Sequence, residues 1–150
     1  MWWRRSATCS RRPKPRKRSN AFPLLPVCLR GRLMRVYGSS MAPTLQPGQL
    51  VFVNAYAYAI RAPHRGEVVA ATPLALNGKA LVKRLVGLPR DQVEIGGHRW
   101  QLGPDQFFLL GDQPDESMDS RQFGPVSREE LVGPIRCRVW PWQLMVPSSA

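Results

Sequence analysis

The chain has 150 residues, with 22 Lys+Arg against 10 Asp+Glu for a formal net charge of +12, and 43% of it is hydrophobic with 15 prolines. That length suits one domain with a modest core, and the composition excludes a repeat array and a wholly disordered chain. The charge is local: residues 1–36 carry 11 basic residues and no acid, whereas residues 37–150 carry 11 basic against 10 acidic, a net of +1. A nucleic-acid reading would rest on that basic start alone, so no nucleic-acid partner is expected for the domain.

Residues 11–18 read Arg-Arg-Pro-Lys-Pro-Arg-Lys-Arg, too charged and too often broken by proline to pack. Residues 1–32 are therefore expected to be a basic, disordered leader, and 33–150 the folded domain. The acid-free start has the composition of an organellar transit peptide, yet no long apolar region follows it as a secretory signal requires. The best apolar stretch, Phe22 to Tyr37, is broken by Pro23 and Pro26 and carries Arg30, Arg32 and Arg35. It falls short of the ~20 apolar residues of a membrane helix. Cys9, Cys28 and Cys137 are odd in number, dispersed and without a CxxC pair, which argues against both a disulfide framework and a zinc site. Free thiols in a reducing compartment follow. A cytoplasmic location, with membrane contact at most peripheral and no cofactor, is expected.

Beyond Leu33 the pattern becomes short apolar runs between turns. Leu50–Val53 reads as a strand after Pro47-Gly48, and Glu67–Ala71 as another after Arg65-Gly66. Asn77-Gly78 signals a hairpin between Pro73–Leu76 and Lys79–Val86. Val93–Ile95, Gly96-Gly97 and Arg99–Leu102 form a second hairpin pattern. Phe107–Leu110 and Ile135–Trp140 supply further strands. One short helix is expected at Ser127-Arg128-Glu129-Glu130, which has capping-box spacing and Gly133 as a stop. The expected fold is mostly β: curled antiparallel sheets with one short helix.

Three segments stand out. Gly38-Ser39-Ser40-Met41-Ala42-Pro43-Thr44-Leu45 places a serine between a glycine and a Pro-Thr turn. Such a turn can present a hydroxyl with backbone N–H groups pointing the same way, able to hold a developing oxyanion. In Leu81-Val82-Lys83-Arg84-Leu85-Val86-Gly87-Leu88-Pro89, Lys83 shares a strand face with Leu81 and Leu85, while Arg84 shares the other with Val82 and Val86. A lysine there is either snorkelling from an edge strand or desolvated, and a desolvated amine can act as a general base. Gly111 to Val126 is a long polar loop in which Asp119 can pair with Arg121 and Ser117 can orient a neighbouring base. His64 and His98 both sit in turn-like contexts, a poor place for a catalytic imidazole.

Taken in this order, the three segments resemble the bacterial type I signal peptidase superfamily. Ser-Met-x-Pro-Thr-Leu stands at Ser40–Leu45, Lys-Arg-x-x-Gly-x-Pro at Lys83–Pro89, and Gly-Asp-x-x-x-x-Ser-x-Asp-Ser-Arg at Gly111–Arg121. The resemblance covers about residues 36–142. It implies a serine endopeptidase with Ser40 as nucleophile, Lys83 as general base and Ser117 as the hydroxyl orienting the amine. Asp119 and Arg121 would be a structural pair supporting the loop. Members of the family often add a side-chain hydroxyl to the oxyanion hole two residues before the nucleophile. Gly38 occupies that place here, leaving backbone donors, chiefly the Ser40 N–H. A Ser–Lys dyad needs neither histidine nor metal. The penicillin-recognising Ser-x-x-Lys motif is absent, and residues 1–36 offer no helix-turn-helix of the self-cleaving repressors.

Only about one hairpin separates Pro89 from Gly111, where typical family members carry a large inserted β subdomain. The compact core is similar to the mitochondrial inner-membrane peptidases and, more closely, to the maturation proteases of nickel-type superoxide dismutase. Gly111-Asp112-Gln113-Pro114-Asp115, the run from Asp119 to Val126, and the closing Val139-Trp140-Pro141 carry that finer resemblance. It implies removal of an N-terminal extension from the dismutase precursor as the activity. Cleavage of signal peptides at a membrane surface, with Leu24, Leu25, Trp140 and Trp142 on the lipid, is a second reading. A non-catalytic peptide-binding or basic-tailed nucleic-acid module is a third.

Overall fold

The computed structural model describes residues 31–140 and 143–145. The basic leader therefore lies outside the described residues except for Gly31 and Arg32, and Arg32 already opens the first strand. Leu24, Leu25 and Trp142 also lie outside them, as does the side chain of Trp140.

The fold is mostly β, as the turn-punctuated sequence implies. Among the described residues, strands and α-helices follow one another as β1 (Arg32–Arg35), β2 (Leu50–Val53), α1 (Ala57–Ile60), β3 (Val68–Ala71), β4 (Leu81–Gly87), β5 (Gln92–Ile95), β6 (His98–Gln101), β7 (Gln106–Leu110), α2 (Ser120–Phe123), β8 (Val126–Ser127), β9 (Leu131–Trp140) and β10 (Gln143–Leu144). One eight-stranded antiparallel sheet runs β1-β2-β9-β3-β4-β7-β8, with β10 added on β9, and β5–β6 form a separate hairpin. Register shifts between β2 and β9, β3 and β9, and β4 and β7 curl this sheet, since each bulge bends and twists its strand.

β3 explains how a chain this short fills two cores. All four of its residues are buried, and because strand side chains alternate, Val69 and Ala71 enter one cluster while Val68 and Ala70 enter the other. Ala57, Tyr58, Leu85, Phe107, Leu109, Val126 and Leu131 join them in the first cluster. Met41, Leu45, Val51, Val53 and Ile135 belong to the second. The second cluster underpins the Gly38–Leu45 turn, so packing reaches directly into the first of the three singled-out segments.

Two local expectations are corrected. The residues Ser127–Glu130 do not form a helix: Ser127 ends β8, paired with Gln106, and a tight turn leads straight into β9. The capping-box spacing is used there as a turn lock, with the Ser127 N–H donating to Glu130 Oε2 (2.6 Å) and the Leu74 N–H to Glu130 Oε1 (2.6 Å). The short helices are instead α1 and α2, the latter with a true capping box between Asp119 and Gln122. Likewise Pro73–Leu76 is not a strand. Leu74–Leu76 make a 3-10 turn closed by Asn77 at φ 53 and Gly78 at φ 68, and β4 pairs instead with β3 on one side and β7 on the other.

Candidate active site

Ser40 sits on a turn held from below. Gly38 takes φ +75, a conformation that suits a residue without Cβ. The Ala42 N–H then donates to the Ser39 carbonyl and the Leu45 N–H to the Met41 carbonyl, both at 2.8 Å. Met41 and Leu45 are buried in the second core, so the Ser40 hydroxyl just before them is carried on a fixed base. The Ala42–Pro43 peptide bond is cis. From across the site the Gln113 N–H donates to the Ser40 carbonyl at 3.0 Å. Among the described residues, no hydrogen bond engages the Ser40 N–H.

Lys83 lies in the middle of β4, opposite Val69 of β3, and its burial alternates in step with Leu85 and Gly87. Only 4% of it is exposed. Its Nζ is 2.6 Å from Ser40 Oγ and 3.0 Å from Ser117 Oγ, and no carboxylate touches it directly. Burial, aided by the positive charge of Arg121, pulls its pKa below the usual lysine value, while the charges of Asp119 and Asp112 pull the other way. An edge-strand lysine with a wet head, the alternative at the sequence level, does not describe this side chain.

Behind the lysine stands Asp119, fully buried. It accepts from Ser117 Oγ at 2.7 Å, the Gly111 N–H at 3.0 Å, and both Nε and Nη2 of Arg121 at 2.9 Å. Burial would raise its pKa, but these donors outweigh burial and hold the carboxyl below its usual value. Asp119 therefore does more than pair with Arg121: it also caps α2 and holds the Ser117 hydroxyl. The loop closes this tightly because position 111 is glycine; a Cβ there would run into the Ser117 side chain and the Ser40 carbonyl.

The order of donors follows. An ionised carboxylate only accepts, so the Ser117 O–H points at Asp119, and Ser117 Oγ is left to accept an N–H from Lys83. The lone pair of a neutral Lys83 then faces Ser40, whose O–H it can accept. The arrangement can take a proton from a serine hydroxyl and return it, with no imidazole involved. His64 and His98 are both exposed and stand outside this group.

All five sequence-singled residues are thus brought together. A second set was not assigned a role from sequence: Thr44, Arg84 and Asp112. Arg84 points to the other face of β4 and grips Asp112 with Nε and Nη2, each at 2.7 Å, while Nη2 reaches Thr44 Oγ1 at 3.2 Å and Nη1 donates to the Gly66 carbonyl at 2.8 Å. Burial of Asp112 is outweighed by its bonds to Arg84 and Thr44, which hold its carboxyl low. These three residues fasten the serine, lysine and loop segments to one another. Their signal was adjacency: Arg84 follows Lys83, Asp112 follows Gly111, and Thr44 lies in the serine turn.

Ser40 and Lys83 open onto a cleft of about 680 Å³. One wall is the chain from Met34 to Gly38 and the other the chain from Lys79 to Lys83, with Glu116 and Met118 at the loop side. No group of three or more His, Cys, Asp or Glu that could hold a metal occurs among the described residues. Nor is any helix among them long and apolar enough to cross a membrane.

Comparison with known proteins points the same way. A family model described as "Signal peptidase, peptidase S26" matches residues 24–102 and 96–140. The chain is 34% identical over 131 residues to a probable signal peptidase I-2 of Synechocystis, covering 69% of this chain and 60% of that protein. It is 30% identical over 133 residues to a signal peptidase I of Leptolyngbya laminosa, covering 68% of this chain and 65% of that one. A mitochondrial ATP-independent inner membrane protease subunit 1b of Arabidopsis thaliana is 31% identical over 122 residues, covering 75% and 72% respectively. The match thus spans less than two thirds of the length of the first two relatives.

Proposed function

The chain belongs to the signal peptidase family, peptidase S26, and from that membership we propose that it is a serine endopeptidase that removes an N-terminal extension from a precursor protein. The observation that carries the reading is the amine of Lys83, buried and held between two hydroxyls, 2.6 Å from Ser40 Oγ and 3.0 Å from Ser117 Oγ.

In this reading Ser40 Oγ attacks the scissile carbonyl as its proton passes to the neutral Lys83 amine. The Ser40 N–H stabilises the oxyanion of the tetrahedral intermediate; a single such donor is worth about 2.7–4 kcal/mol in other enzymes. Lys83, now an ammonium, protonates the leaving amine as the C–N bond breaks, leaving an acyl ester on Ser40. A water then gives its proton to Lys83 and its hydroxide to the ester carbonyl, and collapse of that intermediate returns the proton to Ser40. Ser117 keeps the amine aimed throughout, and the Asp119–Arg121 pair keeps Ser117 aimed. Substrate lies extended along the cleft with main-chain hydrogen bonds to its strand-like walls.

The substrate is read in two ways. The motif details at Gly111–Asp115, Asp119–Val126 and Val139–Pro141 favour a nickel superoxide dismutase precursor met away from the membrane. The names of the relatives, signal peptidases and an inner membrane protease, favour signal peptides cut at a membrane surface, with the chain at most peripherally attached. One experiment separates them. The purified chain is mixed with a nickel dismutase precursor and, separately, with a secretory precursor in vesicles, and each new N-terminus is sequenced. The peptidase reading expects a single cut in one of them that Ser40→Ala abolishes; a cut that survives Ser40→Ala, or no cut in either, overturns it. Which precursor is cut decides the substrate.

A further inference from the structure

The cleft is not uniform in charge. Glu116 is the one carboxylate among its described lining residues, and the lining cations other than Lys83 are Arg35 and Lys79. Ser39 Oγ donates to Glu116 Oε2, and Ser39 immediately precedes Ser40. Adjacent Cα atoms are about 3.8 Å apart, so the carboxylate stands within a residue or two of the point of attack. Its one hydroxyl contact uses a single acceptor site of the several that a carboxylate offers, and among the described residues Glu116 forms no ion pair.

The two cations stand further along the walls, removed along the chain from Ser40 and Lys83. Lys79 is four residues before Lys83, up to about 13 Å along an extended chain, and Arg35 is five residues before Ser40. Both are exposed, and among the described residues neither forms an ion pair. Between these ends the residues that line the cleft are mostly apolar, among them Met34, Val36, Leu81 and Val82.

We infer that this cleft selects substrates by charge position: Glu116 favours a basic side chain within two residues of the scissile bond, and Arg35 with Lys79 disfavours one about four residues further along. The inference rests on the peptidase reading for the location of the scissile bond, and it names a class of substrate that reading leaves open.

The test is a charge scan. An uncharged, Ala/Val-rich ten-residue peptide with a terminal fluorophore carries one Arg or one Glu at successive positions. Binding of each to the Ser40→Ala chain is read by anisotropy, and cutting of each by the unaltered chain is read by mass spectrometry. At the Glu116 end Arg should outbind Glu by about fivefold, the scale of a single exposed ion pair, and the preference should fade in 0.5 M salt. At the far end the preference should reverse. Glu116→Lys should invert the Arg-to-Glu ratio at the near positions alone, a change that a merely weakened fold would not produce because the ratio is internal to each variant. A flat profile, no binding, or a ratio that Glu116→Lys leaves in place overturns the inference. Cutting without a charge profile would sink the inference and keep the peptidase reading. A charge profile without cutting would sink the peptidase reading and, because no scissile bond would then fix the positions, overturn the inference as stated while showing a charge-selective cleft.

Discussion

Lys83 and Arg84 are neighbours on one strand, both cationic by type and both drawn out of water, yet they end in opposite states. Arg84 meets a carboxylate head-on, two bonds of 2.7 Å to Asp112, and that pairing raises its pKa in spite of burial. Lys83 meets only hydroxyls. The nearest carboxylate, Asp119, is one hydroxyl away and already gripped by Arg121, so burial prevails and the lysine pKa falls. Direct contact with a carboxylate makes a fastener, and the same charge held one hydroxyl away leaves an amine suited to the base role proposed for it. In β4 the pleat alone sorts the two, sending successive side chains to opposite faces.

Exchanging the two chemistries should break this division most visibly. Lys83→Arg puts a guanidinium, which does not give up its proton, where a neutral amine is required. Precursor cutting should fall by about 10⁴-fold or more, the scale seen when a dyad or triad member is lost, in a steady-state assay. Arg84→Lys should instead keep the activity within about tenfold while lowering thermal stability, since a lysine cannot reproduce the forked grip. Loss of activity in both variants alike would erase the distinction. Next in size, Asp112→Asn leaves the Arg84 charge partly buried without its counterion. A cost of about 3 kcal/mol is expected, a fall of roughly 10 °C in melting temperature for a domain this size, followed by circular dichroism. A melting temperature that stays in place would show that Thr44 and Gly66 suffice for Arg84.

The sequence made the lysine side of this comparison more legible than the arginine side. Ser40, Lys83, Ser117, Asp119 and Arg121 each sit in a segment with unusual chemistry for its context, and the family resemblance joined the segments. The partner of Arg84 was hidden because it depends on register: Arg84 lies opposite Leu110, which brings Asp112 within reach, and no periodicity in the sequence states that offset. Local structure failed where one spacing serves two ends. Asp119 and Gln122 build a capping box and a helix follows, whereas Ser127 and Glu130 have the same spacing but Ser127 is already committed to pairing with Gln106. Pro73–Leu76 looked like a strand by hydropathy, and Asn77 at φ 53 closes it as a 3-10 turn. Alternation marked Ile135–Trp140, the second part of β9, whereas β4 is apolar on both faces around Lys83 and Arg84 and reads as a strand from its apolar run alone.

The pH profile sharpens the comparison further. The proposed mechanism needs neutral Lys83, so kcat/KM should rise with pH through the lysine pKa, at a value below that of a free lysine. Arg121 helps hold that pKa down. Arg121→Gln removes a positive charge and leaves Asp119 less neutralised, and both changes favour the ammonium form. The rising limb should therefore move to higher pH, with activity near neutrality reduced and activity on the alkaline plateau largely kept. A limb that stays fixed while the plateau falls would mean that Arg121 acts only through the shape of the loop.

The smallest expected effect is a gain. A cation whose pKa is lower in the folded chain than in the unfolded one binds its proton more readily when unfolded. The unfolded state therefore takes up extra protons between the folded pKa and about 10.5, the ordinary lysine value, and stability rises with pH across that window. At neutral pH and below, Lys83 is a cost that the fold carries. Lys83→Met keeps much of the stem's packing without the amine, and Ser117 retains Asp119 as a partner. The variant should be inactive yet about 1 kcal/mol more stable near pH 7, a few degrees in melting temperature. Its advantage should shrink as the pH approaches 10.5. Arg84→Met offers the contrast, since a cation stabilised by its pairing should leave a less stable chain when removed. If both methionine variants shift stability in the same direction, burial rather than pairing governs both cations, and the division between base and fastener does not hold.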